Sequence, residues 1–88
     1  MNFNHLKNML ELRHLKTLMA LRETGSLVDA AEVLHLTQSA LSHQIKDLED
    51  RLNCTLFVRK TKPPRFTSAG RRLLALADLV APEFKAAE

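Results

Sequence analysis

The sequence predicts a mainly helical domain in which three helices are followed by a short two-stranded hairpin and a long fourth helix. Three observations carry that expectation. Leu and Ala dominate the 88 residues, Gly (two) and Pro (three) are scarce, and with no Trp or Tyr and only four Phe the core must be aliphatic. Apolar residues recur at helical spacing in successive segments, each of the later ones opened by a residue able to cap a helix N-terminus. Between residues 55 and 67 the pattern changes to that of extended chain. With 45% hydrophobic and 26% charged residues, this length makes one small globular domain rather than a disordered tail.

Each element can be justified in order. Leu12, Leu15, Leu18, Met19 and Leu21 form a stripe over residues 12–24, and Gly25 is a C-terminal stop. Ser26 stands where an N-cap belongs. The second helix then places Leu27, Ala30, Ala31 and Leu34 at i, i+3, i+4 and i+7, and its two alanines admit a closely crossing neighbour. His35-Leu36 makes a short break, and Thr37 is a second N-cap. From Gln38 to Leu52 the stripe is Leu41, Ile45, Leu48 and Leu52, ended by Asn53, which tolerates the left-handed conformation. Thr55 to Arg59 is rich in strand formers and Arg65-Phe66-Thr67 is a return strand. Lys62-Pro63-Pro64 between them cannot pair in a ladder and forms the tip. Thr67 is the third N-cap, opening the long helix. There Leu73, Ala77, Val80 and Phe84 fall at i, i+4, i+7 and i+11, a coiled-coil-like repeat that suits either the domain itself or a partner subunit. Pro82 lacks a backbone donor and crowds the Asp78 carbonyl, so the helix either stops near Ala81 or bends.

Charge is placed unevenly along the chain. Residues 1–50 carry five Lys/Arg against seven Asp/Glu, a balance of −2, and residues 51–88 carry eight against three, a balance of +5, giving the net +3. Arg59, Lys60, Lys62, Arg65, Arg71 and Arg72 lie within 59–72, where there is no acid. Such a segment fits a polyanionic partner, and equally a solvated basic loop. No apolar run approaches the roughly 20 residues that span a bilayer. The opening Met1-Asn2-Phe3-Asn4-His5 lacks the regions of a secretory signal. The single Cys54 fits a reducing cytoplasm, and it is expected to pack as a small hydrophobe near the end of the third helix.

The third helix decides between these readings. Opposite its apolar stripe lie Ser39, Ser42, His43 and Lys46, again at i, i+3, i+4 and i+7, and from Gln38 to Lys46 the helix has no acid. Short polar side chains on such a face let a helix enter a major groove about 12 Å wide and present hydroxyl, amide and imidazole groups to base edges. The positive end of the helix favours nearby phosphates. Ala31, Leu34, Leu36, Leu41 and Ile45 have the spacing of a helix-turn-helix core. Together with the basic hairpin this predicts a winged helix-turn-helix. The alternative is a winged-helix module for protein interaction or dimerisation, without specific DNA binding.

The same residues carry a family resemblance. Gly25-Ser26-Leu27, Ala30-Ala31, Leu34-His35, the run Thr37–Ser42, Gln44-Ile45, Leu48-Glu49, Leu56-Phe57-Val58-Arg59 and Phe66-Thr67…Gly70 resemble the N-terminal domain of LysR-type transcriptional regulators over residues 10–88. His14–Leu18, Thr37–His43 and Leu56–Lys60 are most similar to the branch that regulates methionine biosynthesis with homocysteine as coeffector. The resemblance implies an N-terminal extension (1–11), a winged helix-turn-helix (12–67) and a linker helix (68–88). Ser26, Thr37, Gln38, Ser39, Ser42 and His43 would face bases or backbone. Lys46 would meet a flanking phosphate, and the wing residues Arg59, Lys60, Lys62 and Arg65 the minor groove or backbone. Leu73, Ala77, Val80 and Phe84 would pair two linker helices in a homodimer on an interrupted palindrome such as TGAA…TTCA, with a tetramer possible at full length.

Some residues depart from the family pattern. His43 stands where many members have Arg, and Asn53 where Gly is commoner. Residues 1–8 precede the usual start, so Met9 is a second candidate initiator. Members are several times longer, with an effector domain after the linker, so the chain reads as a DNA-binding fragment, cytoplasmic and without a cofactor of its own. Arg59 could meet phosphate or pair with Glu49. His5, His14 and His35 lack metal-ligand spacing with each other or with Cys54. Ser42 and His43 are adjacent on a helix, so their side chains diverge and cannot act as nucleophile and base. No enzyme is expected.

Overall fold

The computed structural model describes residues 11–58 and 63–87, with side chains through Pro82. Helices α1 (Leu12–Thr24), α2 (Leu27–Val33) and α3 (Gln38–Leu52) precede an antiparallel pair, β1 (Phe57–Val58) and β2 (Arg65–Phe66), and then α4 (Ser68–Ala87). This is the order expected from the sequence. The apolar stripes meet in one core of Leu18, Leu21, Ala30, Ala31, Leu41, Ile45, Leu48, Leu56, Phe57 and Leu74, with Leu34 and Leu36 packed against it. Helix α1 is central and packs on each of the other three helices. No described helix is long and apolar enough to cross a membrane.

Local hydrogen bonding explains why the helices turn where they do. Gly25 (φ 69°) ends α1, its N–H donating to the Leu21 carbonyl at 2.9 Å. The Ser26 hydroxyl accepts from Asp29 N–H at 3.2 Å and so caps α2. That helix closes through His35 (φ 58°), with His35 N–H on Glu32 O at 3.1 Å and Leu36 N–H on Ala31 O at 2.8 Å. The two bonds make a Schellman closure around a left-handed residue, a place usually taken by Gly or Asn. The same pair recurs after α3, where Asn53 (φ 54°) and Cys54 donate to Asp50 and Glu49.

The wing is sewn to the helices by three polar groups. A Glu49 carboxylate oxygen accepts from Leu56 N–H at 2.7 Å. Thr67 donates its hydroxyl to Thr55 O (2.6 Å), accepts from Gly70 N–H (3.1 Å) as the cap of α4, and donates its N–H to Leu56 O (2.9 Å). Phe57 faces Phe66 across the ladder, with ring centroids 6.4 Å apart. The first strand begins at Phe57 rather than Thr55 and the second ends at Phe66 rather than Thr67, because Thr55 and Leu56 direct backbone groups to Glu49 and Thr67 rather than into the ladder; Arg59, the expected end of the first strand, lies outside the described residues.

One further expectation is corrected. Cys54 is exposed, because the left-handed turn at Asn53 carries the chain off the apolar face of α3 and Leu56 fills the core instead. Of the two outcomes open at Pro82, a stop near Ala81 or a bend, the stop does not occur: α4 continues through Pro82 to Ala87. The proline forfeits one helical bond, while good helix formers continue on either side. The boundary at 67/68 also cuts through packing, since Leu74 and Ala77 of α4 are buried with the helix-turn-helix. Residues 1–10, and with them His5 and Met9, lie outside the described residues.

His14, only 2% exposed, holds the start of α1 by accepting the Glu11 N–H on Nδ1 at 2.9 Å. Burial, and after it the Arg13 charge, pushes the imidazole below its ordinary 6.5. The fold therefore favours the neutral ring. Its contribution to stability is full above pH 6.5 and is lost as the pH falls below that value through the lowered one. Gln accepts the same N–H without titrating, so His14→Gln should flatten the loss of stability between about pH 7 and 5, read from urea unfolding. At Gly70, a β-carbon would clash with the Leu56 carbonyl oxygen, which α4 approaches closely. Gly70→Ala should lower the unfolding free energy by about 2 kcal/mol or more in the same assay.

Candidate nucleic-acid interface

Helix α3 is two-faced, as its sequence pattern requires. Leu41, Ile45 and Leu48 are buried, whereas Gln38, Ser39, His43 and Lys46 are exposed and Ser42 is half-buried at the edge of the core. No described hydrogen bond or ion pair engages those five polar side chains. The acids of α3 come later, where Asp47 pairs with Arg51 at 3.2 Å and Glu49 braces the wing. The first half of the helix thus offers donors and acceptors, and a cation, with no carboxylate among them.

Two of the expected DNA-facing hydroxyls have structural duties. Ser26 caps α2, and Thr37 caps α3 by accepting from Ala40 N–H at 3.0 Å. A cap occupies only a lone pair, so each hydroxyl proton is still available to an acceptor such as phosphate. Arg65 is exposed on β2. Arg59, Lys60 and Lys62 lie outside the described residues. The pairing stripe expected on α4 is redistributed. Ala77 is 1% exposed and Leu73 packs against the domain's own core, so Ala77 cannot serve a partner, while Leu76 (40%) and Leu79 (76%) face outward. Val80 is half-buried, and the Phe84 side chain lies outside the described residues. A turn of α4 needs Leu74 and Ala77 for the domain, which rotates the free apolar face to Leu76 and Leu79.

The sequence pattern of bacterial regulatory helix-turn-helix proteins of the lysR family matches residues 12–71. The chain belongs to that family. It is 60% identical over 88 residues to the HTH-type transcriptional regulator MetR of Haemophilus influenzae, covering 100% of this chain and 26% of that protein. To MetR of Salmonella typhimurium it is 61% identical over 79 residues, 90% of this chain and 25% of the relative. The chain thus spans about a quarter of the length of these curated relatives. Among solved structures, the BenM DNA-binding domain in complex with catB site 1 DNA superposes with a TM-score of 0.79 at 32% identity, covering 88% of this chain and 83% of that one. The winged helix-turn-helix architecture expected from the sequence is therefore the fold of this lysR-family domain.

Sequence reasoning missed several supports of the interface. The sequence offers Glu49 as a partner for Arg59, which lies outside the described residues; it does not signal that Glu49 also accepts the Leu56 N–H. Arg71 was counted as basic charge, but it donates to the Phe66 carbonyl at 2.9 Å and braces β2 from α4. No periodicity signals either contact. The split between capping and contact residues is testable. Thr37→Ala should cost about 1 kcal/mol of stability, whereas Ser39→Ala and His43→Ala should stay within about 0.5 kcal/mol of the parent in chemical denaturation.

Proposed function

We propose that this lysR-family domain binds double-stranded DNA sequence-specifically, with the N-terminal half of α3 in the major groove and the wing on the adjacent backbone or minor groove. The observation that carries the reading is the exposed, acid-free face of Gln38, Ser39, His43 and Lys46, with Ser42 at its edge. Ser39, Ser42 and His43 contact base edges, Gln38 bases or backbone, and Thr37 and Ser26 donate to phosphate at the two capped helix starts. Lys46 and the wing cations Arg59, Lys60, Lys62 and Arg65 neutralise phosphates. A solved relative of the same fold is a DNA complex, which supports DNA binding by this fold.

The domain acts as a homodimer on an interrupted palindrome, joined through the outward face of α4 around Leu76 and Leu79, with tetramers formed by full-length subunits. The likeness to MetR supports a regulatory role in methionine biosynthesis, exercised in the cytoplasm. Homocysteine is the coeffector this reading assigns to a full-length regulator. These relatives are transcriptional regulators, and the domain is read as a binding module rather than an enzyme.

Fluorescence anisotropy with a TGAA…TTCA duplex and a scrambled duplex at several salt concentrations tests the reading. Ser42→Ala and His43→Ala should each weaken palindrome binding about tenfold and leave scrambled DNA within about twofold. Lys46→Ala should weaken both alike and reduce the salt slope by about 0.9. Equal losses on both duplexes for Ser42→Ala would remove α3's assigned face. Salt-insensitive, negligible binding of the parent chain would favour the protein-interaction module instead.

A further inference from the structure

We propose that the ion pair between Arg22 and Asp78 is a positioning strap: it fixes the angle of α4 against the helix-turn-helix, and through that angle the half-site spacing a dimer accepts. This inference rests on the dimeric DNA-binding reading above.

The pair is bidentate. One guanidinium nitrogen of Arg22 donates to Asp78 Oδ2 at 3.0 Å and the other to Oδ1 at 2.7 Å. The other described ion pairs, Glu11–Arg13 and Asp47–Arg51, each lie within a single stretch of chain, whereas this one joins residues 56 apart. The Arg22 bond holds the Asp78 carboxyl below its usual range, so the pair stays charged through neutral pH. Its place in the fold matters more than its strength. Arg22 is in the last turn of α1. Asp78 directly follows Ala77, the last fully buried residue of the described part of α4. The strap therefore sits beside the last fully buried residue described on α4.

Ala69, Leu73, Leu74 and Ala77 seat α4 on the core, but burial alone is not directional. A forked guanidinium–carboxylate pair is directional, because two parallel bonds resist both roll and tilt. The same cleft is bordered by Arg65, Phe66 and Arg71. Since Arg71 also holds the Phe66 carbonyl, the angle of α4 is tied to the base of the wing. A tilt of about 10° at the strap moves the far side of a domain 31 Å across by roughly 5 Å, more than the rise of about 3.4 Å per base pair. A pair this exposed contributes little to stability, so the fold should survive its loss while the spacing does not.

The test uses the 88-residue chain, one duplex with a single half-site, and palindromes whose spacer changes one base pair at a time. The variants are Arg22→Lys, which keeps the charge but not the fork, Asp78→Ala, and the exchange Arg22→Asp with Asp78→Arg. The readout is the ratio of affinities between spacers, in which any uniform effect of changed charge cancels. The parent should discriminate its preferred spacer from its neighbours by about tenfold, the two single variants by about threefold or less, and the exchange should recover part of the difference. Single half-site affinity should change alike on every sequence, and unfolding midpoints should show all variants folded. Spacer preference retained in both single variants overturns the strap and leaves the dimer reading standing. Half-site binding by the parent with no spacer preference overturns the dimer reading, and the strap with it.

Discussion

Helix α3 can present a polar face to a groove only because its other face is committed to the core. Leu41, Ile45 and Leu48 are buried in one cluster with Leu18 and Leu21 of α1, and that burial sets the rotation of α3 about its axis. With 3.6 residues per turn, fixing those three residues leaves Ser39, His43 and Lys46 no choice but the opposite side. Leu56 and Phe57 enter the same cluster, so the start of the wing is positioned by the same packing that orients α3. The polar face of α3 and the wing are therefore not two attachments on a scaffold but two outward consequences of a single core.

The chain reaches this arrangement through short, hydrogen-bonded turns. Two helix ends use a non-glycine residue in the left-handed region, His35 and Asn53, with φ of 58° and 54°. Such residues cost some free energy, which the double backbone closures after each helix offset. The benefit is directional. The turn from α2 into α3 is complete within three residues and leaves Thr37 in extended conformation, ready to cap α3. The positive end of α3 is thereby kept at the surface, beside the polar face that would meet a polyanion.

Much of this was legible in the sequence, because helical periodicity and capping chemistry are local signals. The spans of α1 and α3, the stops at Gly25 and Asn53, and the caps Ser26, Thr37 and Thr67 all follow from residues within a few positions of one another. What was hidden depended on partners far along the chain. Cys54 looks like a small core residue until the turn at Asn53 is known. The strands shorten because Glu49, seven residues earlier, takes the Leu56 N–H. On α4 the heptad-like spacing was real, but its owner was not readable. A stripe records that one face is buried and says nothing about which body buries it. The exposed polar face of α3 was legible for the converse reason, since an acid-free polar stripe needs no distant partner to be recognised.

The division of α4 follows from the size of the domain. So small a chain buries a modest fraction of its surface, and each buried side chain is a large part of the whole. The helix-turn-helix does not close its core alone: it borrows Leu74 and Ala77 from α4, and Gly70 lets that helix lie against the Leu56 carbonyl. A helix so engaged on one side cannot also be a freely jointed linker. Its first three turns are packed on the domain through Ala77. Any force applied to the far end of α4 is therefore delivered at the junction of Leu74, Ala77 and Asp78 with α1. From there it passes through α1, which packs directly on α3. The helix that would join two subunits and the helix that would read DNA are separated by one layer of side chains, so the orientation of one is physically linked to the placement of the other.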